Sequence, residues 1–345
     1  MSLKTEVHLM YTTKTLLGVL NLNLAFETFF LNMFFRQEAT FDTEEIDLDK
    51  VLPDLSVAPY ISPVVAGVVQ KDKSMQTSSF KPAYHKPMHA IEPDKHVYKR
   101  RPGEAFNTPQ SAAQREQAAV SDLLMLQRDQ VMRAWEKQAS EAILNGEVII
   151  EGSNYPKTQV SYQRDNENTI TYTGTDKWDD SGAKPLDAME AEVTDMDYPA
   201  DVIVMSKEAW ALVKARHTDA EIAARFDKNN GAGISIELGI QASKIAYKGM
   251  MGEVHVYVHN GFYHDEAGNK QYIMSGAKVL YVNSVAVGGV RCFGSIRDPK
   301  ADYKGFPLFP KTFEKDDPAG KFLQTQSAPL MVVGNANATR LVTVK

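Results

Sequence analysis

One uninterrupted stretch restricts the folds open to this chain more than any other, because it contains neither glycine nor proline from Gln110 to Asn145. It is rich in Ala, Leu, Gln, Glu, Met and Arg, which are good helix formers. Thr108 offers an N-cap hydroxyl, Pro109 suits the first helical position, and Gly146 suits a left-handed stop. The stretch therefore predicts a helix over residues 109–145, about 55 Å long, which is longer than an ordinary compact domain is wide.

The predicted helix carries its apolar residues on one side. They recur at steps of three, four and seven residues: Val120, Leu124, Val131, Trp135, Ala139 and Ala142. Charged residues mark the other faces: Arg115, Glu116, Asp122, Arg128, Asp129, Lys137 and Glu141. This spacing predicts a helix that buries one face and leaves the others in water. A coiled coil is the alternative, but no sustained heptad has apolar residues at both a and d.

Composition indicates a globular protein and limits its partners. The chain has 345 residues, enough for one large or two modest domains, and a net charge of −6 with a pI near 5.8. That charge argues against a protein whose main task is to bind a polyanion, but it is compatible with a shell around one. Cys292 is the only cysteine, so the sequence offers no intrachain disulfide, a usage typical of a reducing cytosol.

The N-terminal region is interpreted as an arm. Polar residues interrupt its apolar run, Leu16 to Phe35: Asn21, Asn23, Glu27 and Asn32. No small-residue cleavage site follows, so we expect neither a signal peptide nor a membrane span. Residues 15–35 fit an amphipathic helix, and its phenylalanines are too many to leave in water: Phe26, Phe29, Phe30, Phe34 and Phe35. We expect such an arm to contact a partner surface.

Residues 61–97 are predicted to form a long β-hairpin. A β-branched run, Val64–Val69, leads to a polar tip at residues 71–79 and a return strand containing two prolines. Because proline is tolerated mainly at sheet edges, this hairpin is expected to project from the molecule. The basic cluster Lys95–Arg101 follows. We interpret it as a solvated or salt-bridging turn, because no other basic surface in the sequence supports nucleic-acid binding.

Beyond Gly146 the sequence predicts a mixture of strands and helices. Strand signals occur at residues 147–150, 160–162, 168–172, 201–205, 254–259, 271–274, 279–282, 326–333 and 341–344. Helices are predicted over residues 185–197 and 207–216 and from Asp219 onward. The acidic, turn-rich residues 176–184 predict a domain boundary.

The clearest strand contains Val254, Val256 and Val258, which we expect to face inward. His255 and His259 would then share the outer face, close in sequence to His264. Two histidines suggest a metal site, but residues four apart on a strand lie about 13 Å apart, too far to share one ion.

No catalytic motif is present. The sequence lacks a Gly-x-Ser-x-Gly elbow, a Walker loop, a His-Glu-x-x-His motif and a complete dinucleotide fingerprint. Two pairs of neighbouring carboxylates are candidates for a divalent-ion site: Asp179 with Asp180, and Asp316 with Asp317. Both pairs lie among turn residues, which favours solvated loop acids. We therefore predict no catalytic residue, no cofactor and no metal site.

An ordered set of short motifs extends over nearly the whole chain. These motifs are Met10–Thr13, Phe34–Arg36, Tyr60–Gly67, Lys86–Pro87 with His89, Arg100–Pro102, Tyr247–Met250, Asp317–Ala319 and Gln326–Met331. Together they resemble the major capsid protein E family of lambda-like tailed bacteriophages, whose members adopt the Hong Kong 97 capsid fold.

The resemblance implies an α+β chain with five regions: an N-terminal arm (1–55), an extended β-hairpin loop (56–105), a peripheral domain with the spine helix (106–180), an axial domain (181–305), and C-terminal strands of the peripheral domain (306–345). It implies a structural protein that self-assembles as hexamers and pentamers into an icosahedral phage head around double-stranded DNA, without sequence-specific binding. A separate scaffolding protein, a portal and possible decoration proteins are the implied partners. The implied location is the virion, after assembly in the host cytoplasm.

The implied inter-subunit contacts combine the apolar arm with the loop and the basic cluster. They are Phe29, Phe30, Phe34, Phe35, Arg36, Phe80, Lys99, Arg100 and Arg101. An encapsulin-like shell is the alternative within the same fold. A cytosolic hydrolase using Asp179, Asp180 and a divalent metal is the alternative from another class. A lysine–asparagine cross-link between subunits occurs in some relatives of the family, and Lys71 and Lys73 are available here.

Overall fold

The computed structural model describes residues 16, 28–43, 45–51, 75–96, 111–152, 155–227, 244–265, 267–316 and 319–345. The Met10–Thr13, Tyr60–Gly67 and Arg100–Pro102 motifs and Lys71 and Lys73 lie outside these residues. The helices are α1 (Phe29–Phe34), α2 (Pro93–His96), α3 (Ala112–Asn145), α4 (Pro185–Asp195), α5 (Lys207–Arg216) and α6 (Asp219–Arg225).

The strands before α4 are β1 (Gln37–Thr40), β2 (Ile46–Val51), β3 (Met75–Phe80), β4 (Met88–Ile91), β5 (Glu147–Gly152), β6 (Tyr155–Ser161) and β7 (Thr169–Thr171). Those after α4 are β8 (Val202–Ser206), β9 (Ile245–Met251), β10 (Val254–His259), β11 (Phe262–His264), β12 (Lys270–Tyr272), β13 (Lys278–Val282), β14 (Val290–Phe293), β15 (Phe309–Asp316), β16 (Ala319–Gln326), β17 (Pro329–Val332) and β18 (Thr339–Thr343). The mixed α+β class predicted from the sequence is confirmed.

The long helix is confirmed, but its predicted start is wrong. Ser111 is the N-cap: its side chain accepts a hydrogen bond from the Gln114 backbone, while the Gln114 side chain accepts one from the Ser111 backbone. This reciprocal capping box satisfies two backbone donors at the helix start, a stronger signal than the lone hydroxyl of Thr108. Gly146 ends the helix in the left-handed conformation, with φ +69°, as predicted.

Replacing Gly146 with alanine is expected to lower the free energy of unfolding by about 1–2 kcal/mol, because a positive φ is unfavourable for a residue with a side chain. A Cβ at this position would also lie 2.8 Å from Cβ of Arg164. Gly252→Ala is the matched control, since its φ is +62° and no heavy atom lies within 4 Å of the added Cβ. Denaturant unfolding of both variants separates the backbone cost from the steric cost. Equal losses at the two positions would rule out a packing contribution at Gly146.

The apolar side of α3 is buried as predicted: Val120, Leu124, Val131, Trp135, Ala139 and Ala142 are all at most 6% exposed. Of the seven charged residues of α3 predicted to be exposed to water, one is buried. Arg128 is buried, because it lies four residues after Leu124 and three before Val131 and so falls within the apolar side. Its guanidinium is paired with Asp129 at 2.9 Å.

A six-stranded sheet forms the centre of the fold, in the order β7-β18-β13-β8-β10-β9. Strand β8 lies parallel to β10 and antiparallel to β13, and β18 joins β13 to β7. Strands β7 and β18, which the resemblance assigns to the peripheral domain, therefore share one sheet with β8, β9, β10 and β13 of the region it assigns to the axial domain. Four of the five residues of β18 are buried, and such a strand needs neighbours on both edges and cover on both faces.

Side chains of β8 alternate between two apolar clusters, one on each face of this sheet. Val202 and Val204 join the cluster that includes α1 and much of α3, whereas Ile203 and Met205 join the cluster that includes α4 and α5. The expected polar outer face of β10 is therefore absent. Tyr257 and His259 are 0% and 3% exposed, because β10 lies inside the sheet and both of its faces are covered.

Two three-stranded sheets adjoin this centre. Strand β14 pairs with β1 in parallel and with β17 antiparallel, so a strand predicted to belong to the axial region joins the arm and the C-terminal region. The other sheet has the order β15-β16-β4. Antiparallel pairs β2–β3, β5–β6 and β11–β12 complete the strand pairing of the described residues.

The predicted hairpin over residues 61–97 is wrong in its pairing. Strand β3 pairs with β2, so residues 75–79, predicted as a polar tip, form a strand whose partner lies earlier in the chain. The predicted return strand does not project. Strand β4 lies at the edge of the sheet with β16, where the nearby prolines cost no ladder hydrogen bond. The Val64–Val69 run lies outside the described residues.

Candidate assembly surfaces

Charged side chains from other parts of the chain hold both ends of α1. The Glu136 carboxylate on α3 accepts hydrogen bonds from the backbone N–H groups of Phe30 (2.8 Å) and Leu31 (3.1 Å). Arg291 on β14 donates to the Leu31 carbonyl (2.9 Å) and the Asn32 side chain (3.3 Å). Helix ends leave such groups unpaired, and a six-residue helix is too short to be stable alone. Tertiary contacts therefore fix α1 in place.

The aromatic residues of α1 fill the core of their own subunit. The ring of Phe30 lies 5.3 Å from Phe29 and 5.3 Å from the imidazole of His259, and Phe29 also packs against Tyr257 at 5.3 Å. Burial lowers the pKa of His259 to about 4, so this ring is neutral in the core at neutral pH.

This packing corrects the expectation that the arm phenylalanines contact a neighbouring subunit. Phe29, Phe30, Phe34 and Phe35 are at most 4% exposed within a single chain. The sequence indicated correctly that these rings leave water, but it did not show that the cover comes from α3 and β10. A ring already covered within its own chain has little surface left for a neighbour.

Glu136 is a buried carboxylate with an altered pKa. Burial raises its pKa to about 7, and the hydrogen bonds from the Phe30 and Leu31 backbone only partly offset this cost. The folded subunit therefore binds a proton between pH 7 and about 4.5 that the unfolded chain does not, so this group makes the fold less stable as pH rises through 7.

Glu136→Gln is expected to remove this pH dependence. The stability difference between variant and wild type should shift in favour of the variant by about 3 kcal/mol between roughly pH 5 and pH 8. Urea unfolding at both pH values measures it. The buried histidines cancel in the difference because both proteins contain them. Glu208→Gln, the same change at an exposed position of helix α5, is the control and should give parallel curves; parallel curves for Glu136→Gln as well would refute the prediction.

The other predicted contact residues lie in different settings. Arg36 is exposed, immediately before the edge strand β1. Phe80 is half-buried and packs against the same cluster as α1. Lys99, Arg100 and Arg101 lie outside the described residues. The structure thus leaves Arg36 accessible and places Phe80 mainly within its own subunit.

A buried polar network anchors the segment between β3 and β4. The Tyr84 hydroxyl donates to Gln326 (2.7 Å) and accepts from the Arg297 backbone N–H (3.0 Å), and the Gln326 amide donates to the Asp298 carboxylate (2.9 Å). Lys311 forms an ion pair with the same carboxylate. These contacts hold residues 81–87 against the body of the subunit.

Several large apolar side chains remain in solvent and mark surfaces available to neighbours. They are Met88 (51% exposed), Leu126 (43%), Tyr272 (44%), Val285 (86%) and Tyr303 (57%). Met88 lies on the edge strand β4 and Leu126 on α3. Free strand edges and exposed apolar groups commonly form contacts between subunits.

The carboxylates considered for a metal site are not assembled into one. Asp179 lies 4.0 Å from the Lys345 ammonium group, and Asp180 accepts a hydrogen bond from Gly182 N–H. No group of three or more His, Cys, Asp or Glu side chains suited to a metal ion occurs in the described part of the chain. Asp317 lies outside that part. Among the same residues, no helix is both long and apolar enough to span a membrane.

The buried polar residues were missed by the sequence reasoning. Glu136 and Asp298 are 5% and 4% exposed and Arg340 is 6% exposed, yet each lies in an unremarkable local sequence. Their partners are far away in sequence, as for Glu136 with Phe30 and Arg340 with Glu192. Only Arg128 had a local signal, its position within the apolar side of α3.

The chain has full-length likenesses among characterised proteins. It is 30% identical to the major capsid protein of enterobacteria phage P21, over 97% of this chain and 99% of that protein. It is 29% identical to the major capsid protein of Escherichia phage lambda, over 94% and 96% respectively. A crystal structure of a prophage capsid protein from Escherichia coli CFT073 superposes with a TM-score of 0.78 at 25% identity, covering 97% of this chain and 99% of that one.

These similarities extend over nearly the whole length of each chain and are not confined to one domain. The class that they define is that of phage capsid proteins. Residues 12–344 also match the family model for phage major capsid protein E. The chain belongs to the phage major capsid protein E family. The resemblance found in the sequence motifs is confirmed.

Proposed function

We propose that this chain is the major capsid protein of a tailed double-stranded DNA bacteriophage and self-assembles as hexamers and pentamers into the icosahedral head. The match to the family model over residues 12–344 carries the proposal. The proposed subunit has the Hong Kong 97 fold and is structural, with no catalytic role. Its location is the virion, after assembly in the host cytoplasm. A separate scaffolding protein, a portal and possible decoration proteins are its proposed partners.

The sheet pairings support a revised division of the subunit. We place the six-stranded sheet, including β7 and β18, in the axial domain near the symmetry axes. Helix α3 and the two three-stranded sheets belong to the peripheral domain. The rings of α1 then belong to the core of their own subunit. This division keeps each sheet within one domain.

Electron microscopy and size-exclusion chromatography of the purified chain test the proposal. We expect closed shells or capsomers at micromolar concentration. A monomer or dimer that persists at high concentration and shows metal-dependent hydrolysis would contradict it and favour the hydrolase alternative. Shells that package a protein cargo in place of DNA would favour the encapsulin-like alternative.

Arg36 is the proposed contact residue best suited to a direct test, because it is exposed beside an edge strand. Arg36→Glu should reduce the yield of particles while leaving the unfolding midpoint of the subunit unchanged, since a reversed charge at an interface repels its partner. Lys157→Glu, at an exposed position on strand β6, is the matched charge-reversal control and should assemble normally. Normal particle yield from Arg36→Glu would exclude Arg36 from the interface.

A further inference from the structure

A basic and aromatic patch surrounds one ring of the hairpin β11–β12 and is named the Phe262 patch: Lys244, which precedes β9, and Phe262, His264, Lys270 and Tyr272 of the hairpin. The ammonium groups of Lys244 and Lys270 lie 3.4 Å and 4.0 Å from the centroid of the Phe262 ring. The imidazole of His264 lies 5.6 Å from that ring, and the Tyr272 ring lies 6.1 Å from it. Two cations and two further rings thus surround a single aromatic side chain.

These two lysines differ from most lysines whose contacts are described. Seven others pair with carboxylates within 4.0 Å: Lys81, Lys95, Lys137, Lys157, Lys311, Lys321 and Lys345. Lys244 and Lys270 form no such pair within the described part of the chain, and both are exposed. A ring attracts a cation but does not neutralise it. Within the described residues, the patch therefore keeps two positive charges that no carboxylate pairs, in a chain of net charge −6.

The nearby Asp265 is used to shape the hairpin. Its carboxylate accepts hydrogen bonds from the backbone N–H groups of Ala267 (3.0 Å) and Asn269 (2.8 Å) and from the side chain of Gln271 (3.2 Å). These bonds hold the turn that brings Lys270 over Phe262. The carboxylate fixes the position of the patch and makes no ion pair with either lysine.

We propose that the Phe262 patch binds the phosphate groups of nucleic acid inside the shell. Two ammonium groups held by one ring are preorganised for adjacent phosphates, and contacts of this kind carry no sequence information. The Tyr272 ring is 44% exposed and lies under the Lys270 ammonium group, 4.6 Å from the ring centroid, so the aromatic surface adjoins the charge that would meet a phosphate. Carboxylates of an acidic protein would satisfy the lysines equally, but they offer no base or sugar to pack on the exposed part of that ring.

The choice of nucleic acid as ligand rests on the proposed function, because a phage head encloses DNA. The net negative charge of the subunit keeps this contact weak and local. Weak contacts repeated over a shell organise the outer layer of an enclosed polymer without trapping it.

Fluorescence anisotropy of the purified full-length chain with a labelled 20-base-pair duplex tests the proposal, with single-stranded DNA and polyglutamate as parallel probes. Two phosphate contacts predict a slope of log K against log salt of about −1.8, so affinity falls by about tenfold between roughly 50 and 200 mM salt. The double variant Lys244→Gln/Lys270→Gln should lose about tenfold in affinity at the lower salt and most of the slope.

Lys81→Gln/Lys157→Gln is the matched control, since it removes the same charge from two lysines that pair with glutamates. It should bind duplex within about twofold of wild type. Three results would overturn the proposal: no binding of either nucleic acid, equal binding by wild type and the Lys244/Lys270 variant, or binding of polyglutamate alone. Electron microscopy of wild type and of the Lys244/Lys270 variant separates the two hypotheses. Normal shells of the variant together with lost DNA binding support both, whereas a wild type that binds duplex but forms no shells contradicts only the proposed function.

Discussion

Phe30→Ala is expected to lower the free energy of unfolding of the subunit by about 3–5 kcal/mol, the largest effect of any single truncation considered for this chain. Phe30 is 0% exposed, and its ring packs against Phe29, Phe34 and His259. Alanine removes this apolar surface and leaves a cavity that a rigid core fills only in part. The backbone N–H of residue 30 still donates to Glu136, so the loss reports on the ring and not on the helix end.

The measurement is denaturant unfolding of the subunit at a concentration below assembly, followed by particle counting. Tyr272→Ala removes a ring of similar size from an exposed position and should cost less than about 1 kcal/mol. The experiment also distinguishes two roles for α1. If Phe30→Ala unfolds like wild type but fails to form particles, the ring anchors a neighbouring subunit and its place in the core is refuted.

Arg340→Met is expected to lower the free energy of unfolding by about 3 kcal/mol, because it leaves the largely buried carboxylate of Glu192 without its ion-pair partner. Arg340 on β18 is 6% exposed and donates to Glu192 (2.8 Å) and Asp195 (2.9 Å) on α4. The Glu192 side chain is 12% exposed and the Asp195 side chain 78%, so the pair with Glu192 accounts for most of the effect. Without the guanidinium, the Tyr172 hydroxyl at 2.6 Å is the remaining side-chain donor to Glu192 in the described hydrogen-bond network.

Arg225→Met is the matched control. Arg225 also pairs with two carboxylates of α4, Asp187 at 2.8 Å and Glu190, but its side chain is 41% exposed. Its loss should cost less than about 1 kcal/mol. Adding Glu192→Gln to Arg340→Met should recover part of the lost stability, because no buried charge then lacks a partner. Equal costs for Arg225→Met and Arg340→Met would show that burial does not decide the strength of these pairs.

Local sequence signals predicted the elements of this fold better than their arrangement. The C-terminal end of α3, the helix over residues 207–216 and the strand at residues 279–282 depend on neighbours a few positions away, and all three are confirmed. The start of α3 was misplaced because Thr108 and Ser111 are both acceptable caps and only Ser111 has Gln114 three residues later.

Pairings between distant strands were beyond the reach of these signals. Strand β10 has a clean alternation of valine with polar residues, the pattern of a half-exposed strand, yet it lies between β8 and β9 and is covered on both faces. Nothing local to Glu136 shows that its carboxylate meets Phe30 at a distance of 106 residues along the chain. Local sequence does not reveal the Phe262 patch either, because Lys244 reaches the ring from outside the hairpin. Family motifs supplied the fold class that such local patterns left open.

The parallel pairing of β1 with β14 has a consequence for how the protein is made. Gln37 pairs with Val290, and Thr169 on β7 pairs with Leu341, in both cases a partner far later in the chain. A ribosome must therefore synthesise these late segments before either sheet closes, and pairings of such long range fold slowly. We expect nascent chains that stop short of Val290 or Leu341 to expose β1 or β7 as an open edge, so such chains are not competent to join a growing shell.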